Sequence, residues 1–536
     1  MKRNTLTTAV LAGLTGVAGM ASVANAVNVN PDGLGQVLLY PYYTARGGND
    51  TLISIVNTTD RGKAVKVRFL EALNSREVLD FNLYMSEYDV WTAGITATSD
   101  GAMMRTADTT CTSPYFVGQA GGPGNVAEEP FLDFAFTDPV SDGGPTSLDR
   151  TRSGYIEVIE MGTLGVDSVN GEDVEAAARH ARSGPGRGIP APSGSNGSNA
   201  NSVCGLFQER WTESTFLNGN GIWYDDATRG IEPVSGGLFG NGSIINVDNG
   251  TMFTYDAVSL DNFWTAGSTG HFAPGDTNPS LDQGQLASNV FLSNSAGVEN
   301  QVWNDSIDAV NHVLSQEYLM NEYNVSPGLA ANSEWIVTFP TKRQHVDGAL
   351  GGFSLSAARA PFSQLWTNTS PFSCETIELE VYDREEQSLT FGTDGDVCPS
   401  PRPIDPTTGE PIPCSSNINF ALCREANVVR WGIEGETAPA MAEITGEPSA
   451  STAALPQYGY VNINVPTTPW DFTEGWARFD FSGFTGEASQ NDLTFVGLPA
   501  IGFWANTYTR NDASTNYGGS FRHRGSRTPL VSATNP

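Results

Sequence analysis

Apolar and polar residues alternate with period two through the first hundred positions. In residues 64–70, Val65, Val67 and Phe69 fall on one face while Lys66 and Arg68 fall on the other. In residues 78–85, Leu79, Phe81, Leu83 and Met85 oppose Asp80, Asn82 and Tyr84. Residues 36–40, 51–56 and 88–95 read as further strands, with the turn-like Asn57-Thr58-Thr59-Asp60 between them. Alternation of this kind predicts half-buried antiparallel strands, and their close spacing predicts a sandwich. Later strands are expected at 155–160, 334–339, 376–382, 458–465, 477–481, 494–496, 501–507 and 518–522. Residues 243–247 and 251–258 predict a hairpin around Asp248-Asn249-Gly250, because Asn and Gly both tolerate positive φ. Helical spacing is rarer. Ile307, Val310, Val313, Leu314 and Tyr318 form one stripe that predicts a helix over 306–322, capped by Asp305. A shorter helix is expected within 172–181. The pattern reads as a mostly β chain: an antiparallel β-sandwich, immunoglobulin-like or jelly-roll-like, with long loops and one or two short helices.

The N-terminus changes the picture. Lys2 and Arg3 precede a small, apolar stretch, and Ala24-Asn25-Ala26 supplies a small-x-small cleavage site. Residues 1–26 therefore read as a secretory signal peptide, and the product is expected in the periplasm, on the cell surface or outside the cell. No later run approaches the ~20 apolar residues of a membrane-spanning helix. An exported chain meets an oxidising compartment, so the six cysteines suggest three disulfides. Proximity favours Cys111–Cys204, Cys374–Cys423 and Cys398–Cys414. The chain divides into an N-terminal β-sandwich region over 27–260, with a loop excursion at 111–204. A loop and helix connector covers 261–332. A C-terminal β-rich region covers 333–536, with a disulfide-bounded loop at 374–423. Within the excursion, residues 182–202 are rich in Gly, Pro, Ser and Asn and read as a mobile loop.

Charge narrows the partners. Asp and Glu number 60 against 28 Lys and Arg, a formal net charge of −32. Such a chain repels nucleic acid. No cofactor and no metal ligand set is implied; calcium is the one ion the acidic surface would draw. Motifs for a serine nucleophile elbow, a zinc protease or a phosphate loop are absent. Glu157 and Glu160 share strand faces with apolar residues. A buried carboxylate there would have a raised pKa and could serve as a general acid, but both are expected to reach water at a strand edge. Tryptophans in loop-like segments (Trp211, Trp223, Trp264, Trp366 and Trp470) could stack on sugar rings. Two cationic clusters stand out against the acidic background. Lys342, Arg343 and His345 follow the apolar strand at 334–339, where Pro340 ends the ladder. Arg522, Arg524 and Arg527 lie near the end of the chain. Candidate ligand-binding residues are thus Lys342, Arg343, His345, Arg522, Arg524 and Trp264; no catalytic residue is assigned.

The segments GQVLLYPYYTARGGNDTLISIVNTT, SEWIVTFPTKR, LPAIGFWANTY and NYGGSF together resemble a set of exported and cell-surface proteins of Gram-negative bacteria with no assigned activity. The resemblance implies a cell-surface or exported protein and carries no site residues. The leading functional expectation is a non-catalytic binding or structural protein whose partner is a glycan or another cell-surface component. A carbohydrate-active enzyme using paired carboxylates is the second reading, and a calcium-dependent adhesion protein the third.

Overall fold

The computed structural model describes residues 26–116, 125–184, 187–195, 199, 201–212, 221–293, 297–349, 355–391, 396–400, 415–416, 420–449, 459–468, 470–509 and 516–533. Residues 1–25, the side chains of the Cys398–Cys414 pair and parts of the 182–202 loop lie outside that description. Strands take 45% of the described residues and helices 10%, so the described structure is mostly β.

Four large sheets carry the architecture. An eight-stranded sheet runs, edge to edge, Asn28–Val29, Val258–Asp261, Val37–Thr44, Ser153–Leu164, Lys63–Glu71, Glu77–Met85 and Cys111–Ser113, with Ile231–Glu232 joining the end of Ser153–Leu164. A six-stranded sheet runs Thr251–Asp256, Leu238–Asn246, Asn49–Asn57, Val90–Ala97, Ala102–Thr106 and Ala127–Pro130. A five-stranded sheet runs Val461–Val465, Ala426–Ile433, Ala331–Thr338, Ile501–Tyr508 and Tyr517–Arg522. A seven-stranded sheet ends in Glu378–Asp383, Glu474–Asp480, Tyr318–Asn324 and Arg524–Ser526. Pairing in these sheets is antiparallel except between Ala426–Ile433 and Val461–Val465. Among the described residues no sheet closes on itself.

The period-two pattern explains how the sheets stack. Val65, Val67, Phe69, Phe81 and Leu83 point into one core, opposite Ile53, Ile55, Trp91 and Ile95 of the six-stranded sheet. Ile336, Val428 and Phe503 of the five-stranded sheet join the same core. Their strand neighbours Trp335, Val337, Val429 and Trp504 face the opposite way, into a second core against Leu319, Tyr323, Val381 and Phe479 of the seven-stranded sheet. The strand Ala331–Thr338 is apolar on both faces because it lies between two cores.

The six- and five-stranded sheets meet edge to edge. Ser520 Oγ accepts from the Thr254 amide at 3.0 Å and donates to the Thr254 carbonyl. Gly518 permits this approach: a Cβ there would sit 2.8 Å from the Phe253 ring.

Three local expectations change. The helix predicted over 306–322 stops at Leu314, and Tyr318–Asn324 is a strand. Leu319 and Tyr323 alternate into the second core, so tertiary packing overrides the helical stripe. Asp305 precedes the helix but makes no side-chain cap bond; its carboxylate pairs with Arg359 at 2.6 Å. Among the described residues five short helices form rather than one or two. Three of them, Val174–Ala178, Gly205–Trp211 and Ile222–Asp225, pack over the end of the eight-stranded sheet, where Cys204 is bonded to Cys111. Finally, the polar face of that sheet is not solvated. Lys63 pairs with Glu160 at 2.8 Å, Lys66 with Asp80 at 2.8 Å and Arg68 with Glu77 at 2.9 Å, all buried.

Candidate functional site

A groove of about 290 Å³ opens at the edge of the seven-stranded sheet. Strand register builds it. Glu322 pairs with Trp476, and Met320 pairs with both Arg478 and Arg524. Alternation turns Trp476 and Arg478 away from the core that holds Ala477 and Phe479. Trp476 is 38% exposed and stacks on Tyr382, with ring centres 4.4 Å apart and planes within 5°. Arg478 donates to Glu380 at 2.8 Å and lies over the Tyr318 ring at 4.5 Å, which stiffens the row beside it. On the other wall, exposed Phe521 stacks on buried Trp504 at 5.4 Å.

Arg522 and Arg524 line the same groove, and both are exposed. Neither guanidinium lies within 4 Å of a carboxylate among the described residues, although acidic side chains outnumber basic ones two to one. Desolvation in the groove, then repulsion from Arg524, lowers the Arg522 pKa; Asp256 acts the other way from beyond ion-pair distance. The intervening His523 is buried and anchors the segment. Its Nε2 donates to the Ile336 carbonyl at 2.9 Å, and its Nδ1 accepts from Asn321 at 3.0 Å. Arg527, the third arginine of that cluster, turns inward. It donates to the Val313 and Ser315 carbonyls at the end of the helix Ser306–Leu314, a favourable position for a cation.

The other candidates lie elsewhere. Lys342 opens the short helix Lys342–Val346 and is buried; its Nζ donates to the Ser373 carbonyl at 2.6 Å. His345 is buried, with Nε2 2.8 Å from the Asn311 amide nitrogen. Arg343 donates to Asp347 at 3.1 Å and to the Ser75 carbonyl at 3.0 Å, and it lines a separate cleft with Glu157. The two cationic clusters therefore line different cavities. Trp264 is buried, its indole N–H donating to the Glu160 carbonyl at 2.7 Å. Trp211, Trp223 and Trp366 are buried in the same manner, with N–H groups on Tyr84, Arg229 and Asp142. Trp470 is partly buried against the second core. Trp476 was absent from the sequence candidates. Its signal was an aromatic residue in phase with Arg478 and Asp480, on the polar face of its strand.

Glu157 and Glu160 are buried on an interior strand, not at a water-reaching edge. Glu160 is fully engaged by Lys63 and by the Ser235 and Gly236 amides. Burial, against the pull of Arg68 and Arg343, raises the Glu157 carboxyl to about 7. Beneath Arg343 runs a buried chain of ion pairs. Glu71 and Asp142 hold Arg150, Asp142 and Asp347 flank Arg76, and Asp347 pairs with Arg343.

Among the described residues no group of three or more His, Cys, Asp or Glu side chains is placed to hold a metal ion. No described helix is long and apolar enough to cross a membrane. No family model matches the chain, and neither a curated protein nor a solved structure matches it.

The buried titratable groups set a pH dependence for stability. Burial raises Glu157, Asp308 and Glu334 to about 7 and Glu425 to about 8. The fold keeps these protons after an unfolded chain has released them, so stability grows as pH falls from 8. Burial lowers His271, His312, His345 and His523 to about 3. The unfolded chain takes up those protons near 6.5, so this contribution is lost as pH falls below that value. Thermal unfolding at constant ionic strength should therefore show a midpoint that rises from pH 8 to about 6.5, where the histidine term begins to oppose it. A midpoint that falls over that interval contradicts the assignment.

Proposed function

We propose that the chain is an exported, non-catalytic binding protein that takes an acidic glycan in the Trp476–Phe521 groove. The observation that carries this reading is the pairing of exposed, stacked aromatic rings with two arginines that have no carboxylate partner among the described residues of a strongly acidic protein. Sugar rings stack on aromatic faces. Uronate carboxylates match the planar fork of arginine, and the exposed Glu322 offers acceptor atoms to hydroxyls. Face-to-face sheets of the sandwich kind suit such a surface, although the architecture by itself implies no activity.

Binding of polygalacturonate, compared with neutral dextran, tests the reading. The intact protein should bind the polyuronate saturably, and more weakly as salt is raised. Trp476→Ala and Arg524→Ala should each weaken binding at least about tenfold, or ~1.4 kcal/mol, with little change in the unfolding midpoint because both side chains are outside the cores. Equal affinity for dextran, or full affinity in both variants, would exclude the groove as the site.

A further inference from the structure

The second cavity, a cleft of about 270 Å³, lies where the eight-stranded sheet meets the helix Lys342–Val346 and the segment 277–282. Its lining differs entirely from that of the groove. Two features mark it as more than a packing gap. Glu157 is 2% exposed, yet its Oε2 has no hydrogen-bond donor. The nearest cation, Arg68 Nη1, is 3.6 Å away, too far for a hydrogen bond, while Arg68 Nε is engaged by Glu77 at 2.9 Å. Gln344 Oε1, in the same lining, is also buried without a donor. Unpartnered buried acceptors are uncommon, and each asks what satisfies it.

The lining also constrains the charge of an occupant. Arg68 and Arg343 line the cleft together with Glu157 and Asp282. A cation would meet two guanidinium groups. An anion would meet two carboxylates and find the unpartnered acceptors still unpartnered. A neutral molecule with several hydroxyl groups supplies donors to Glu157 and Gln344 without either conflict. Its size must be small, since the volume lies just below the ~300 Å³ at which drug-sized pockets begin.

We propose that this cleft is a second binding site, specific for a small neutral polyhydroxylated molecule of hexose size, held by hydrogen bonds to Glu157 and Gln344. The glycan groove is a separate element, so either site can fail while the other stands.

The test is calorimetric titration of the full chain with D-glucose, D-galactose and D-mannose, with methylamine and acetate as charged controls. At least one hexose should bind saturably, and neither control should compete with it. Glu157→Gln should weaken that binding at least tenfold. Because a buried substitution can impair folding, Thr277→Trp provides an independent variant: Thr277 lies exposed at the mouth, and a bulky ring there should also weaken binding at least tenfold while polygalacturonate binding stays intact. Absence of saturable binding by all three hexoses overturns the proposal. So does unchanged affinity in both variants, or displacement of the hexose by methylamine or acetate.

Discussion

Replacing Arg150 with alanine should cost about 3–5 kcal/mol of stability, the range for removing one partner of a buried ion pair. Arg150 is buried, and its two terminal nitrogens donate to Asp142 at 2.9 and 2.6 Å and to Glu71 at 2.9 Å. Its guanidinium also lies over the Phe136 ring at 4.5 Å. Burial works against the charge, but Glu71 and Asp142 outweigh it and raise the Arg150 pKa. Without Arg150, Asp142 retains Arg76 at 3.5 Å, whereas Glu71 keeps only backbone donors from Leu73, Asn74 and Arg76. Lysine should not rescue, since a point charge cannot bridge both carboxylates. Urea unfolding is the measurement, read as a lower midpoint at unchanged slope. A loss below about 1 kcal/mol would mean that the network contributes far less than its geometry implies.

Removing the Cys111–Cys204 bridge as a double alanine variant should cost about 2–5 kcal/mol. The bond closes a separation of 93 residues and ties the edge strand Cys111–Ser113 to the helix Gly205–Trp211. That helix carries Phe207 and Trp211 onto Tyr84, Trp223 and His271. Loss should therefore concentrate in this aromatic cluster and leave the second core intact. Arg182, 87% exposed within the bridged excursion, gives a second measurement. Trypsin cleavage there should produce two fragments that separate on a gel only after reduction. Separation without reductant would contradict the pairing.

Much of the strand content was legible because alternation is a direct readout of which face is buried. Val65, Val67 and Phe69 needed only that rule, while the hairpin of Leu238–Asn246 and Thr251–Asp256 was marked by its Asn249-Gly250 turn. The same rule misread Lys66 and Arg68. Alternation separates polar from apolar faces, but it cannot say whether a polar face meets water or, as here, buried carboxylates and the Ala273 carbonyl. Tryptophans in irregular segments were equally ambiguous: Trp264 and Trp366 fill cores from loops. Arg522 and Arg524 were visible as a cationic cluster, whereas Trp476 joins them only through the pairing of Glu474–Asp480 with Tyr318–Asn324, a register set by distant sequence.

The shared first core has a consequence for the order of events during synthesis. Leu38 and Tyr40 pack in one cluster with Phe503 and Ala505, and Thr338 Oγ1 donates to the Pro41 carbonyl at 2.5 Å. A ribosome delivers the strand Val37–Thr44 long before the strand Ile501–Tyr508. The complete core cannot close until residue 505 has emerged, so the nascent chain carries β-prone segments without their final partners over that interval. Slow, non-local closure of this kind favours aggregation over folding. The topology thus sets a long interval during synthesis in which residues 37–44 lack their final partners.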